Sequence, residues 1–259
     1  MFMRELIYKD IYLIRKNLLI TFGIFVGFFF IGLTVALSAK FGNLAKYVTD
    51  SEMLDDLMRV SLYMTIIAGL MLVSGEEHIF GIIHKEYESR WHDFLIVSGI
   101  KPSGMVGEKY LLIFSFFAIN LFLGIMGFCT MQAVSGIYST DLFFPNFGRH
   151  EGILILIYGA VLLLITGDYF SLIEYIDKGR GSKKADFIKT FSVLFIAGIA
   201  VATWILVGVE EDTWLKVMKT VESFDIGMLY IIPLLIGAAV TVICYLVSVN
   251  IVEKEGRRV

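Results

Sequence analysis

Long apolar runs alternate with shorter polar segments along this chain of 259 residues. A helix needs about 20 consecutive apolar residues to cross the hydrocarbon core of a bilayer. Six stretches approach or exceed this length, and we interpret each as a membrane-spanning helix. The predicted spans are Leu18–Ala39, Val60–Ile83, Tyr110–Val134, Gly152–Phe170, Thr190–Val209 and Gly227–Ile251.

The polar segment from Glu76 to Tyr110 is longer than a turn between two spans requires. Inside it, apolar residues recur at helical spacing, which predicts an amphipathic helix over 84–97 with a docking face. Gly99 suits the end of this helix, and Pro102 suits the first turn of the next one. The apolar face holds Ile83, His84, Tyr87, Trp91, Phe94 and Leu95, and the polar side holds Lys85, Glu86, Ser89, His92 and Asp93.

Three further helices are predicted outside the spans. Apolar residues cover roughly half of the circumference of Met1–Asn17, which predicts an interfacial helix in the headgroup plane. Asp10 intrudes on that apolar half, and the alternative is a simple flank of the first span. Glu210–Ile226 predicts a short outer amphipathic helix before the last span, and Asp50–Arg59 predicts a short outer helix with Ser51 as N-cap. The expected fold is one all-α membrane domain over 1–259.

Composition agrees with a polytopic membrane protein. Hydrophobic residues make up 57% of the chain and charged residues 18%, and the mean hydropathy is +0.77, which is more apolar than an ordinary soluble domain. No basic stripe with interleaved aromatic residues occurs, so nucleic acid is not an expected partner. Cys129 and Cys244 lie in apolar runs, which predicts small buried hydrophobes rather than a disulfide or a zinc site.

Lysine and arginine collect on one side of the predicted spans. Cytoplasmic loops of membrane proteins carry an excess of these residues, so this side is predicted to be cytoplasmic. Both termini and the 84–97 helix are then inside, which agrees with an even number of spans. The residues on this side are Arg4, Lys9, Arg15, Lys16, Lys85, Arg90, Lys101, Lys109, Lys178, Arg180, Lys183, Lys184, Lys189, Lys254, Arg257 and Arg258.

Three common catalytic motifs are absent from the sequence. It has no G-x-x-x-x-G-K-[ST] phosphate loop, no H-E-x-x-H and no G-x-S-x-G, so we expect no enzymatic activity of those classes. His84, Glu88 and His92 follow one helical line, but a metal site on a single helix usually needs further ligands from elsewhere. We therefore favour a solvated face and expect no metal.

Four acidic residues lie near the predicted inner boundary of the membrane: Glu76, Glu77, Asp168 and Glu174. Such residues either form a pathway for protons or ions or, more often, cap helices and pair with nearby lysine and arginine. No ionisable residue falls in the middle of a predicted span. This argues against a proton-coupled carrier with a charge relay at the midplane.

The opening Leu6–Asn17 resembles the start of bacterial ATP-binding-cassette (ABC) permeases of type 2. The segment from Lys85 to Tyr110 is similar to the cytoplasmic segment of the same family, with an acidic-basic run, a tryptophan at Trp91 and a short helix that leads into the third span. The connector with Tyr175 and Lys178–Arg180 matches more loosely.

The resemblance implies the transmembrane permease subunit of an ABC exporter. Two such subunits, identical or related, would bind two separate ATPase subunits, which carry the ATP and Mg²⁺. No cofactor is then expected in this chain. The 84–97 helix would be the coupling helix that contacts the ATPase. The contact residues implied in this way are Glu86, Tyr87, Arg90, Trp91, Phe94 and Lys101.

Similar small permeases export amphipathic peptides, including phenol-soluble modulins and bacteriocins, or give immunity to them. The resemblance therefore implies an amphipathic or antimicrobial peptide as cargo and the cytoplasmic membrane of a bacterium as location. Drugs, lipids or polysaccharide remain alternative cargoes. A membrane enzyme or an ATPase-independent carrier is a further alternative, which would need a constellation of polar residues within the spans.

Overall fold

The structure, a computed structural model, describes residues 2–42, 46–47, 51–137, 150–178, 187–190 and 224–256. This part of the chain is almost entirely helical and contains no strand, which confirms the all-α prediction. A 3₁₀ turn, Ser74–Glu76, joins the second and third helices. The helices are α1 (Phe2–Phe41), α2 (Ser51–Val73), α3 (Glu77–Glu88), α4 (Trp91–Val97), α5 (Pro102–Ser135), α6 (Glu151–Asp177) and α7 (Ile226–Gly256).

Five of these helices are long and apolar enough to cross a membrane: α1, α2, α5, α6 and α7. This supports a membrane-embedded protein. The predicted fifth span, Thr190–Val209, and the predicted outer helix, Glu210–Ile226, lie almost wholly outside the described residues. The layout with six spans therefore stays a prediction.

The N-terminal segment continues into the first span without a break. Helix α1 has 40 residues, a length of about 60 Å at 1.5 Å per residue, which is twice the thickness of the hydrocarbon core. Leu6 and Ile14 are buried against other helices, whereas Tyr8 and Leu13 are exposed. The segment is thus an extension of the first span that packs on the protein, and not a separate helix that begins and ends before Leu18.

The second span also has other bounds than predicted. Helix α2 begins at Ser51, so the predicted outer helix Asp50–Arg59 is its first part. It ends at Val73, ten residues before the predicted end of the span at Ile83. The following apolar residues Ile82 and Ile83 belong to α3, where both are buried. Their burial against protein explains why the apolar run extends beyond the span.

Close packing of small residues brings α2, α5 and α6 together. A Cβ atom built on Gly69 would lie 3.4 Å from the Cα of Gly124, so α2 and α5 cross with their backbones in near contact. Phe128 of α5 is fully buried in a core cluster with Leu62 and Leu156. Because lipid tails are as apolar as leucine, helices in a bilayer associate through packing of this kind.

The helices meet at two polar ends. At one end, the first turns of α1 and α5 lie with α3, α4 and the last turns of α6 and α7. At the other end, the Lys40 Nζ donates to the Val134 carbonyl at 2.7 Å, and His150 Nδ1 lies 2.7 Å from Tyr230 Oη. Phe2 and Gly256 are thus at the same end, which is what an even number of spans requires.

Replacing Gly152 with alanine tests this packing. The added Cβ would lie 2.0 Å from the ring of Phe128, and overpacking of a filled core costs about 1–3 kcal/mol. We expect a lower midpoint of thermal unfolding for purified Gly152→Ala in detergent. Gly23→Ala is the control, because nothing lies within 4 Å of its added Cβ; equal midpoints for the two variants would contradict the packing.

Candidate functional site

The segment predicted as one helix over 84–97 is two helices, so that prediction is wrong in detail. Helix α3 ends at Glu88, and α4 begins at Trp91. Arg90 between them has φ 55°, in the left-handed region, which costs a residue with a Cβ about 1–2 kcal/mol. The Arg90 amide donates to the Tyr87 carbonyl at 3.1 Å and closes the turn. The turn shifts the helical phase, so the face of α3 does not continue along α4.

The phase shift divides the predicted apolar face. Leu95 points inward and is buried, whereas Trp91 and Phe94 are 38% and 57% exposed. Their rings stack on each other with centroids 5.0 Å apart. His92, which the helical pattern places on the polar side, is only 2% exposed. Trp91, Phe94 and the exposed Val97 form a surface that we call the α4 patch.

Tyr87 is half-buried and packs on the protein rather than serving as an exposed anchor. Its ring stacks on His92 with a centroid distance of 4.0 Å, and its hydroxyl donates to Glu255 Oε2 at 3.4 Å. Burial, together with the negative charge of Glu255, raises the pKa of this hydroxyl far above its ordinary value. Tyr87 therefore stays protonated and joins α3 to the end of α7.

Beneath the α4 patch lies a cluster of ionisable side chains, which we call the ionic hub. It consists of Lys9 and Asp10 from α1, Glu86 from α3, and Glu108 and Lys109 from α5. Asp10, Glu86, Glu108 and Lys109 are all buried. Sequence positions far apart thus meet in one site where water has little access.

Lys109 is the centre of the ionic hub. Its Nζ donates to Asp10 Oδ2, lies 2.9 Å from Glu86 Oε1 and is 3.6 Å from Glu108 Oε1. The Lys9 Nζ lies 2.5 Å from the same Glu86 oxygen. Removing two charges from water costs several kcal/mol for each ion, and only close pairing offsets that cost. The hub therefore fixes the relative positions of α1, α3 and α5.

Lys9 connects the ionic hub to the α4 patch. Besides its contact with Glu86, the Lys9 Nζ lies 5.4 Å from the ring centroid of Trp91, within the range of a cation–π interaction. The partly exposed Trp91 thus stands directly over buried ion pairs. A displacement of Trp91 would therefore be transmitted through few contacts to α1 and α5, the helices that carry Asp10 and Lys109.

Two ion pairs and two histidine–carboxylate contacts tie the same region to α6 and α7. Nε2 of His92 lies 3.3 Å from Glu255 Oε2, and the Lys178 Nζ lies 2.8 Å from Glu255 Oε1. Glu174 pairs with Lys189 and lies 3.2 Å from His84 Nδ1. Polar contacts therefore anchor α3 and α4 to α1, α5, α6 and α7.

Several sequence hypotheses concern residues in these contacts. His92 contacts Glu255 instead of sharing a helical line with His84 and Glu88, because the turn at Arg90 intervenes. In the described ranges, no three histidine, cysteine or acidic side chains are grouped as metal ligands. Glu174 has the more usual role of a partner for basic groups. Of the two thiols, Cys244 is buried as predicted, whereas Cys129 is exposed.

The predicted ATPase contacts do not all lie on the surface. Arg90, Trp91, Phe94 and Lys101 are exposed, whereas Glu86 belongs to the ionic hub and Tyr87 is half-buried. The helical pattern missed Lys9, Asp10, Glu108 and Lys109 as parts of one site. One feature of the sequence did indicate this site, because Asp10 interrupts the apolar half of its helix. A carboxylate that is buried on such a face needs a cation as partner.

The prediction that no ionisable residue falls in the middle of a span needs correction at Asp168, which the sequence placed near the inner end of the fourth span. Helix α6 continues beyond the predicted end at Phe170 to Asp177. Asp168 consequently lies inside the helix and is 0% exposed. Its Oδ2 is 2.5 Å from Thr241 Oγ1, at the middle of α7. A small polar contact therefore exists in the interior of the bundle.

Comparison with known protein families, with curated proteins and with solved structures found no match for this chain. The resemblance to type-2 permeases accordingly stands on the residues in Leu6–Asn17 and Lys85–Tyr110. It remains a prediction from the sequence.

Replacing Lys109 with methionine tests the ionic hub. The substitution keeps a long side chain but leaves Asp10 and Glu86 without their central cation, and breaking a buried ion pair in this way costs about 3–5 kcal/mol. We expect a large drop in the midpoint of thermal unfolding in detergent. Lys85→Met is the control on the exposed side of α3, where surface substitutions change stability by about 0.5 kcal/mol or less. Similar midpoints for the two variants would contradict the hub as a buried site, because they would show that water solvates Asp10 and Glu86 when Lys109 is lost.

Proposed function

We propose that this chain is the permease subunit of an ABC exporter in the cytoplasmic membrane of a bacterium. In this proposal both termini and the α4 patch face the cytoplasm, and α4 contacts a separate ATPase subunit. Two ATPase subunits bind a pair of permease subunits, identical or related, and supply the ATP and Mg²⁺. The expected cargo is an amphipathic or antimicrobial peptide, with drugs, lipids or polysaccharide as alternatives.

The observation that carries the proposal is an exposed apolar patch on a firmly anchored short helix. Helix α4 lies at the polar end of the bundle, yet it presents three apolar side chains to solvent. The exposed fractions of Trp91, Phe94 and Val97 are 38%, 57% and 71%. Insertion of the apolar face of a helix into a groove is a common recognition mode, and tryptophan is enriched among the residues that dominate binding energy. The patch thus suits a protein partner.

The anchoring of α4 supports a mechanical role for this contact. His92 and Leu95 hold the inner face of α4, while Lys9 links Trp91 to the ionic hub. A partner that moves the α4 patch would therefore move α1, α5 and α7 with it. An exposed loop without such anchors would absorb the displacement locally.

The orientation in this proposal has support from charge placement. The end of the bundle that holds the ionic hub also carries the exposed Arg4, Arg15, Lys16, Arg90 and Lys101. An excess of basic residues is typical of the cytoplasmic side. A separate motor subunit that hydrolyses ATP would have access to the α4 patch only on that side.

An ATPase-independent carrier is the second candidate, because Asp168 and Thr241 form a polar contact inside the bundle. The two candidates differ in what they require for transport. Transport by the purified chain alone in vesicles would favour the carrier. Dependence on an added ATPase would favour the exporter.

The double substitution Trp91→Ala with Phe94→Ala tests the docking surface. Loss of two aromatic anchors is expected to weaken binding by at least about 2 kcal/mol, or about 30-fold. The measurement is co-purification of the affinity-tagged chain from its native host, with quantification of any bound subunit that contains a phosphate-loop motif and hydrolyses ATP. The expected result is strong co-purification with the unsubstituted chain and little with the variant.

Phe122→Ala is the matched control, because Phe122 is also exposed, at 62%, but lies on α5 away from the patch. This variant should retain the ATPase subunit. Equal retention by the double variant would contradict the assignment of α4 as the docking helix. Absence of any such subunit from the unsubstituted complex would contradict the exporter itself.

A further inference from the structure

Asp168 is a carboxyl group in the interior of the bundle, between α6 and α7. It is 0% exposed, and its Oδ2 lies 2.5 Å from Thr241 Oγ1. Its other oxygen, Oδ1, has no hydrogen-bond partner among the described residues. Thr241 is the middle residue of α7, about 22 Å along the helix from either end. The two cations of the ionic hub, Lys9 and Lys109, contact Asp10 and Glu86 and are not paired with this group.

The groups around Asp168 provide no positive charge within the described part of the chain. The titratable side chains near it are Tyr110 on α5 and Cys244 on α7, and neither is ever cationic. On α6 itself, Glu174 is paired with Lys189 and with His84. A carboxylate without a counter-charge in an apolar interior is so costly that the group takes up a proton instead.

The geometry of Thr241 leads to the same protonation state. Its Oγ1 lies 2.5 Å from Asp168 Oδ2 and 3.1 Å from the Gly237 carbonyl oxygen. If Asp168 were ionised, both oxygens next to the Thr241 hydroxyl, Asp168 Oδ2 and the Gly237 carbonyl oxygen, would be acceptors. The hydroxyl has a single hydrogen to donate, so it could not satisfy both. A protonated Asp168 donates to Thr241, and Thr241 then donates to Gly237. Each of these three oxygens then takes part in a hydrogen bond.

We propose that Asp168 is a proton-binding site and that the bound proton closes the contact between α6 and α7 through Thr241. The ligand is a proton, and its loss leaves a buried negative charge at this contact, which favours separation of the two helices. The inference goes beyond the proposed ATPase docking and does not depend on it.

Neighbouring polar groups lie between this site and the end of the bundle that holds the ionic hub. Ser171 is on the same side of α6, one turn closer to that end, and its fully buried Oγ has no partner in the described structure. Two turns beyond Thr241, Ser248 Oγ lies 3.0 Å from Tyr110 Oη. Hydroxyl groups both donate and accept, so these positions suit stepwise exchange of a proton with the polar end.

Infrared spectroscopy of the purified full chain tests the proposal. The chain would be placed in nanodiscs of phosphatidylcholine and phosphatidylglycerol and measured at neutral pH in H₂O and in D₂O. We expect the C=O stretch of a protonated carboxylic acid, with a shift in D₂O, in the unsubstituted chain and its loss in Asp168→Asn. Thr241→Val should keep this band but move it, because the acid loses its hydrogen-bond partner.

Labelling aspartate with ¹³C covers the case in which Asp168→Asn does not fold. The acid band of Asp168 should then move with the isotope and move again in labelled Thr241→Val. Absence of an aspartic acid band that responds to Thr241→Val would overturn the proposal. A carboxylate band of Asp168 that changes when choline replaces sodium would identify a bound metal cation and would also overturn it.

Discussion

The contact of Lys109 with Asp10 and Glu86 is the interaction on which the polar end of this protein depends. It joins three helices whose residues are far apart in the chain, and all three side chains are buried. A charge in such surroundings is stable only beside its partner, so the helices that carry the charges have little freedom to separate. The firm position of α4, and of the patch that it exposes, follows from this constraint.

Packing plays the corresponding role in the apolar part. Helices surrounded by lipid gain nothing from apolar burial alone, so they need close and complementary surfaces. The near contact of Gly69 with Gly124, and the fit of Phe128 against Gly152, provide these surfaces. Charge pairing at one end and small residues between the spans are therefore two separate sources of order, and each fixes a different part of the molecule.

The two proposals assign different tasks to these parts. In the first proposal a partner protein binds and displaces the α4 patch, and the ionic hub transmits the displacement to several spans. Asp168 lies deeper, at the contact of α6 with α7, where one proton changes the charge of the interface. In this proposal the contact is a two-state element of the kind on which conformational change in a packed protein relies.

Local sequence patterns were enough to predict the helical class, the apolar runs of most spans and the turn between Gly99 and Pro102. These features depend on local composition and spacing, and the structure has Gly99 at φ 76° and Pro102 at the start of α5. The turn at Arg90 carried no such signal, because a left-handed turn usually employs glycine or asparagine.

Which polar residues are internal depends on contacts between helices, and these became visible in the three-dimensional structure alone. Helical periodicity places a residue on a face but does not say what covers that face. In the sequence pattern Asp10 is an interruption, whereas in the structure it pairs with Lys109. The pattern places His92 on a solvated face, whereas the turn at Arg90 directs it toward Glu255. Asp168 looked like a boundary residue until α6 proved longer than its apolar run. In each case the deciding partner lies on another helix, at a distance along the chain that no local pattern reports.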